Sequence, residues 1–244
     1  MHPIIILLLL IIFLFLCVRM IQTKGNFLKL FSFDYTPNPK DYNIYHDSMD
    51  KQPKEKTFVT MTTIPSRLQD PWFYKNLQRT LSLPGNFVII LNIPYVSMKN
   101  VPYIIPDHID KLQRESGHKF IINRCKDEGP ITKLLPTLRN PVIPDNAPII
   151  VVDDDIVYKE HIFSVLSTSI QKYPKKVSSM CNDNGPGIEG FKGFGFIKKT
   201  LEGLADIQIP TSCIRIDDDV INAYIKHHIL FLQNRTLATK YLHL

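Results

Sequence analysis

Residues 147–158 read Ala-Pro-Ile-Ile-Val-Val-Asp-Asp-Asp-Ile-Val-Tyr. The β-branched run Ile149, Ile150, Val151, Val152 has the character of a fully buried strand. It ends abruptly in Asp153, Asp154 and Asp155. Apolar stretches of the same kind occur at 57–63 (TFVTMTT), 86–93 (NFVIILNI), 119–123 (KFIIN) and 177–181. Between them, Trp72, Phe73, Leu77 and Leu81 recur at helical spacing, and 131–138 and 161–173 also read as helices. A last helix is marked by Val220, Ile221, Tyr224, Ile225 and Ile229, with Asp217, Asp218 and Asp219 at its start. Strands alternating with helices predict an α/β fold with a mostly parallel sheet flanked by helices, Rossmann-like in layout. In such sheets ligands sit outside the carboxyl ends of the strands.

Two motifs fall at those ends: the residues after Thr63 and the acids after Val152. Three adjacent carboxylates repel and raise one another's pKa. A divalent cation resolves the conflict, and oxygen ligands suit Mg²⁺ or Mn²⁺. Asp153 and Asp155, as alternate residues at a strand end, are expected to face the same side and to share that ion with a diphosphate. The competing reading is an acidic turn or an N-cap. Asp217–Asp219 likewise read either as helix-capping charge or as a general base.

Thr62-Thr63-Ile64-Pro65-Ser66-Arg67 closes the first strand; by itself it reads first as a capped turn before the next helix and second as a phosphate contact through Arg67. Gly129-Pro130-Ile131-Thr132-Lys133 opens a short helix whose N-terminus and lysine suit an anion, and Lys133 reads equally well as a surface lysine. The Gly-Phe-Gly-Phe of 193–196 reads as a sugar-stacking platform or as core aromatics. Residues 185–195 hold five of the ten glycines, which predicts a loop or a strand with close backbone contacts.

Residues 4–18 are apolar throughout and Arg19 ends the run. No basic n-region precedes it and no small-x-small cleavage site follows, so an uncleaved membrane anchor over 1–21 is expected rather than a signal peptide. Residues 22–56 read as a stem or linker, and 57–244 as one domain. The basic flank after the segment favours a cytoplasmic domain. Asn234-Arg235-Thr236 is a sequon, usable only on the lumenal side. The two signs oppose each other.

The formal charge of +6 is half explained by Arg19, Lys24 and Lys29, since no acid lies in residues 1–30. No dense basic run marks a nucleic-acid face, so no nucleic-acid partner is expected. Cys17, Cys125, Cys181 and Cys213 form no CxxC pair, which argues against a zinc site.

Taken in order, TTIPSR at 62–67, GPITKL at 129–134, VDDDIVY at 152–158 and CIRIDDDV at 213–220 resemble a GT-A-fold glycosyltransferase family of large DNA viruses, algae and bacteria. The resemblance spans 57 to about 232. It implies a nucleotide-sugar donor, a glycan or glycoconjugate acceptor and a Mn²⁺ or Mg²⁺ ion. Thr62, Ile64, Pro65 and Arg67 would line the nucleotide pocket, and Asp127 would help hold the base or ribose. Lys133 would lie near the donor. Asp153 and Asp155 would be the DxD pair, with Asp155 the more direct metal ligand and Asp154 between them in the donor site. The late acids look like the Glu-Asp motif of inverting enzymes, which makes Asp219 the base of first choice and Asp218 the second. Here Asp stands for Glu, and there are three acids rather than two. The competing functions are metal-dependent phosphoryl transfer and a non-enzymatic membrane-tethered scaffold.

Overall fold

The computed structural model describes residues 56–180, 188, 192–209, 217–228 and 230–233. The expected anchor, the linker up to residue 55, Cys17, Cys181, Cys213 and the sequon lie outside the described residues. No helix among the described residues is long and apolar enough to cross a membrane.

In chain order the elements are β1 (Thr57–Thr62), α1 (Pro65–Leu68), α2 (Pro71–Leu81), β2 (Phe87–Pro94), α3 (Asp107–Glu115) and β3 (Phe120–Cys125). A 3₁₀ turn (Ile131–Lys133) and α4 (Leu135–Leu138) follow, then β4 (Pro148–Val151), α5 (Ile162–Lys172), β5 (Lys176–Ser179) and β6 (Phe194–Ile197). A 3₁₀ stretch (Lys198–Asp206), α6 (Asp217–His228) and β7 (Leu230–Gln233) complete the set. The helix expected over 131–138 is split, because Pro136 brings no amide hydrogen to continue the first turn.

The seven strands lie in the order β3-β2-β1-β4-β6-β5-β7. β1 pairs in parallel with β2 and with β4, and β2 with β3. β6 alone runs against its neighbours, lying antiparallel to β4 and β5, while β7 follows β5 in parallel. The mostly parallel α/β sheet expected from the strand-helix alternation is therefore present.

Parallel strands covered on both faces carry unbroken apolar runs, and all eight residues of β2 are buried. Alternate residues feed two separate cores. On one face Val59, Met61, Ile89, Leu91 and Ile150 meet Phe73 and Leu77 of α2, Ile109 of α3 and Phe163, Leu166 and Ile170 of α5. On the other, Phe58, Val88, Ile90 and Ile149 meet Leu135 and Leu138 of α4, Leu201, Leu204, and Ile221 and Ile225 of α6. Each such fully buried side chain stabilises the fold by about 1.5–3 kcal/mol relative to exposure. Asp70 caps α2 by accepting from the Trp72 amide at 2.8 Å, and Pro71 supplies the preset φ of the first turn.

Gly195 is fixed by the sheet. A Cβ there would lie 2.5 Å from Ile170 Cδ1 and 2.8 Å from the Ile149 carbonyl oxygen. The expectation of close backbone contact is met at this residue. Phe194 and Phe196 are fully buried and stacked, with centroids 6.1 Å apart. They belong to the core, so a sugar platform at 193–196 is excluded. Phe194 and Phe196 occupy alternate positions of β6, and both join the core cluster shared with α6.

Candidate active site

The strand order turns around at β1. β2 and β3 continue to one side, while β4 returns to the other. Chains leaving the carboxyl ends of β1 and β4 therefore diverge and leave a crevice between them. A cavity of about 320 Å³ sits there. Its walls include Thr62 at the end of β1, Ile64 and Arg67 after it, Asp127 and Lys133 after β3, Asp153, Asp154 and Asp155 after β4, and Asp217 and Asp218 at the start of α6.

The three acids after β4 do not act alike. Asp154 turns inward and is buried. Its carboxylate accepts from the Thr63 hydroxyl at 2.6 Å and is ion-paired to Arg67. Burial pushes its pKa up to about 6, against the opposing pull of the Thr63 bond and the Arg67 charge. Asp155 stays half exposed and takes the same Arg67 Nη1 at 3.0 Å. Asp153 pairs through Oδ1 with Lys133 at 2.9 Å. The backbone of the turn is tied down separately. Asn76 of α2 donates to the Asp154 and Ile156 carbonyls at 3.1 and 3.0 Å, and the Asp153 amide donates to the Tyr158 hydroxyl at 2.9 Å. Burial holds the Tyr158 phenol well above its ordinary range, so it remains neutral.

Lys133 is the electrostatic centre of the cavity. Its side chain is 6% exposed, and its Nζ lies 2.7 Å from Asp217 and 3.8 Å from Asp218 as well as against Asp153. Burial disfavours its charge, but the three carboxylates outweigh burial and hold the ammonium above the ordinary lysine range. A buried polar network fixes the backbone beneath it. The Lys133 carbonyl accepts from Thr60 at 2.5 Å and from Asn92 at 3.2 Å. Asn92 also donates to Thr137 at 3.0 Å and is held in turn by Asn123 at 2.7 Å. These four side chains come from β1, β2, β3 and α4. No sequence motif marked them, because they lie one to an element and meet only in the folded chain.

The remaining sequence-predicted residues divide. Asp127 lines the cavity while accepting from the Met98 and Gly129 amides at 2.8 Å each, so it also shapes the two loops it joins. Thr62 donates to the Asn92 carbonyl at 2.7 Å. Pro65 is not in the cavity wall; it opens α1, the single turn that aims Arg67 back at the acids. Asp219 is exposed and outside the wall. Helical residues rotate by about 100° each, so two positions beyond Asp217 points away from it. Asp217, Thr63 and Tyr103 line the cavity without having been singled out individually. The Tyr103 hydroxyl donates to the Thr63 carbonyl at 3.1 Å.

A divalent ion fits part of this donor set. Asp153 is engaged through Oδ1 and Asp155 through Oδ2, and the other oxygen of each has no bond among the described residues. Both acids are partly exposed to the cavity side, at 27% and 48%. No group of three or more His, Cys, Asp or Glu side chains among the described residues is placed to hold a metal. The protein thus offers two hard oxygen donors, fewer than the coordination number of Mg²⁺ or Mn²⁺.

No family model matches the chain, and no curated protein matches it in sequence. Solved structures match in fold. The mannosyltransferase PcManGT from Pyrobaculum calidifontis, in complex with GDP-Man and Mn²⁺, superposes with a TM-score of 0.54 at 12% identity, over 83% of this chain and 57% of that one. S. aureus TarS (1-349) in complex with UDP-GlcNAc superposes with a TM-score of 0.50 at 13% identity, over 73% and 56%. The chain spans a little over half the length of each. At these identities the likeness is one of fold. The chain shares a mixed α/β fold, built on a mostly parallel sheet flanked by helices, with GT-A-like structures that include a nucleotide-sugar-bound mannosyltransferase.

Proposed function

We propose that the chain is a metal-dependent glycosyltransferase that moves a sugar from a nucleotide-sugar donor to a hydroxyl of a glycan or glycoconjugate, with inversion. The observation that carries this reading is the meeting of four sequence-distant motifs in one cavity at the switch point of the sheet. The GDP-Man and Mn²⁺ held by PcManGT, and the UDP-GlcNAc held by TarS, support the donor class and the metal.

Asp153 and Asp155 are the residues for Mn²⁺ or Mg²⁺, which when bound neutralises charge on the diphosphate leaving group. Arg67 and Lys133 flank that position as fixed cations, held by their carboxylate partners before any donor arrives. Asp127, Thr62 and Ile64 take the nucleotide end of the cavity. Asp218 is the better placed base, because it lines the cavity with a 35% exposed side chain whereas Asp219 faces away. It takes the proton of the acceptor hydroxyl as the oxygen attacks the anomeric carbon from the face opposite the diphosphate. The apolar residues 4–18 anchor the chain in a membrane.

The deciding experiment is a thermal-shift and hydrolysis screen of the purified full chain against a panel of nucleotide sugars. One donor that raises the melting temperature and is turned over only with Mn²⁺ or Mg²⁺ supports the reading. No shift with any nucleotide sugar, with or without metal, rejects it.

A further inference from the structure

The seven exposed large hydrophobic side chains among the described residues gather at one end of the sheet. Ile64 and Trp72 follow β1; Tyr95, Val96, Met98, Val101 and Ile104 follow β2. β1 and β2 are parallel neighbours, so both stretches leave the same edge. They are also bonded together: Gln69 Nε2 donates to the Ile104 carbonyl at 2.6 Å, and Tyr103 to the Thr63 carbonyl at 3.1 Å. Residues 95–104 form a hairpin, with a bridge between Val96 and Pro102 and the Ser97 amide donating to the Val101 carbonyl at 2.8 Å. Ile104 is 69% exposed. A concentrated exposed apolar patch marks an interaction surface.

The chemistry of the patch selects its occupant. The patch combines aliphatic side chains with one Trp and one Tyr, the Arg124 guanidinium lies over the Tyr95 ring at 4.6 Å, and the exposed Lys99 stands at the turn. That mixture suits the headgroup boundary of a bilayer, where amphipathic rings and a lysine sit above buried aliphatic groups. The chain preceding the described residues carries the apolar run 4–18, and residues 19–55 reach ~120 Å when extended, enough to bring this edge back to the same surface.

We propose that the 95–104 hairpin, with Ile64 and Trp72, seats on a lipid bilayer and holds the cavity, whose wall includes the exposed Ile64, close to the membrane surface. The inference goes beyond sugar transfer and stands or falls separately from it.

Trp72 is the one tryptophan of the chain, so its replacement clears the background for a placed probe. The full chain, carrying Trp72→Phe with either Met98→Trp or Lys119→Trp, is reconstituted into phosphatidylcholine–phosphatidylglycerol vesicles with and without dibrominated phosphatidylcholine. Lys119 is exposed and immediately precedes β3, at the opposite edge of the sheet. The expected result is bromolipid quenching several-fold stronger at 98 than at 119, abolished by adding Val101→Asp and Ile104→Asp. Equal quenching at both positions overturns the proposal, as does a chain that fails to float with the vesicles. A blue-shifted but unquenched probe at 98 also overturns it, in favour of a protein occupant. Nucleotide-sugar hydrolysis in the same samples reads the transfer function independently.

Discussion

Lys133 Nζ lies 2.7 Å from Asp217 Oδ2, an ion pair that ties the turn after β3 to the first residue of α6. The same ammonium holds Asp153 at 2.9 Å, so one buried cation joins both acidic triplets. Without it, carboxylates from two elements would face one another across a poorly solvated space, and repulsion would drive α6 away from the sheet.

Replacing Lys133 with Met tests that link. Removing one partner of a buried ion pair strands the other, at about 3–5 kcal/mol. The urea midpoint should fall accordingly, and adding Asp217→Asn should restore part of the loss through their coupling. An unchanged midpoint in Lys133→Met would refute the clamp.

The two candidate bases separate by orientation. Asp218→Asn should reduce donor-to-acceptor transfer by at least about 100-fold, the usual scale of general-base loss. Asp219→Asn should stay within a few-fold of the parent, since its side chain is exposed outside the cavity. Transfer assays at saturating donor decide between them, and the reverse pattern would return the role to Asp219.

Asp154 should leave a signature in the pH dependence of stability. Burial raises its folded pKa to about 6, above the ordinary 3.8. Between those values the folded chain keeps a proton that the unfolded chain has released. This group's stabilising contribution therefore shrinks as pH rises through the window, by at most about 3 kcal/mol. Urea midpoints measured with a chelator from pH 4 to 7 should show that decline, and Asp154→Asn should flatten it. Parallel curves for the two proteins would contradict the assignment.

Gly195→Ala probes the packing of β6. The added methyl meets Ile170 Cδ1 and the Ile149 carbonyl oxygen. Overpacking of this kind destabilises by about 1–3 kcal/mol. Trimming Ile170 to Ala in the same chain should recover none of the part due to the backbone oxygen, so thermal unfolding of the double variant should stay below that of Ile170→Ala alone. Equal melting temperatures for those two proteins would show that the strand has room.

Much of the architecture was legible beforehand. The run 149–152 and the stretches at 57–63, 86–93 and 119–123 are strands because apolar β-branched residues hide from water on both faces of a covered sheet. α3 leaves almost no periodic signal in the sequence. In a nine-residue helix with one buried residue, Ile109, the apolar stripe is too thin to stand out. For β6 the glycines at 193 and 195 leave loop and strand both open in the sequence, and the close approach of Ile149 and Ile170 to Gly195 decides for the strand.

The strand-helix alternation, the acids at the end of β4 and the motifs that cluster in the cavity can all be read from the order of residues alone. These depend on hydrophobic period and on charge, both of which are local properties of the chain. Which acid faces which cation is set by the packed fold: Asp154 turns in to Thr63 and Arg67, Asp153 and Asp217 share Lys133, and Asp219 is exposed outside the cavity wall. Partner choice among neighbouring carboxylates depends on distances of a few ångströms between elements remote in sequence, and Coulomb attraction acts on those distances rather than on residue order.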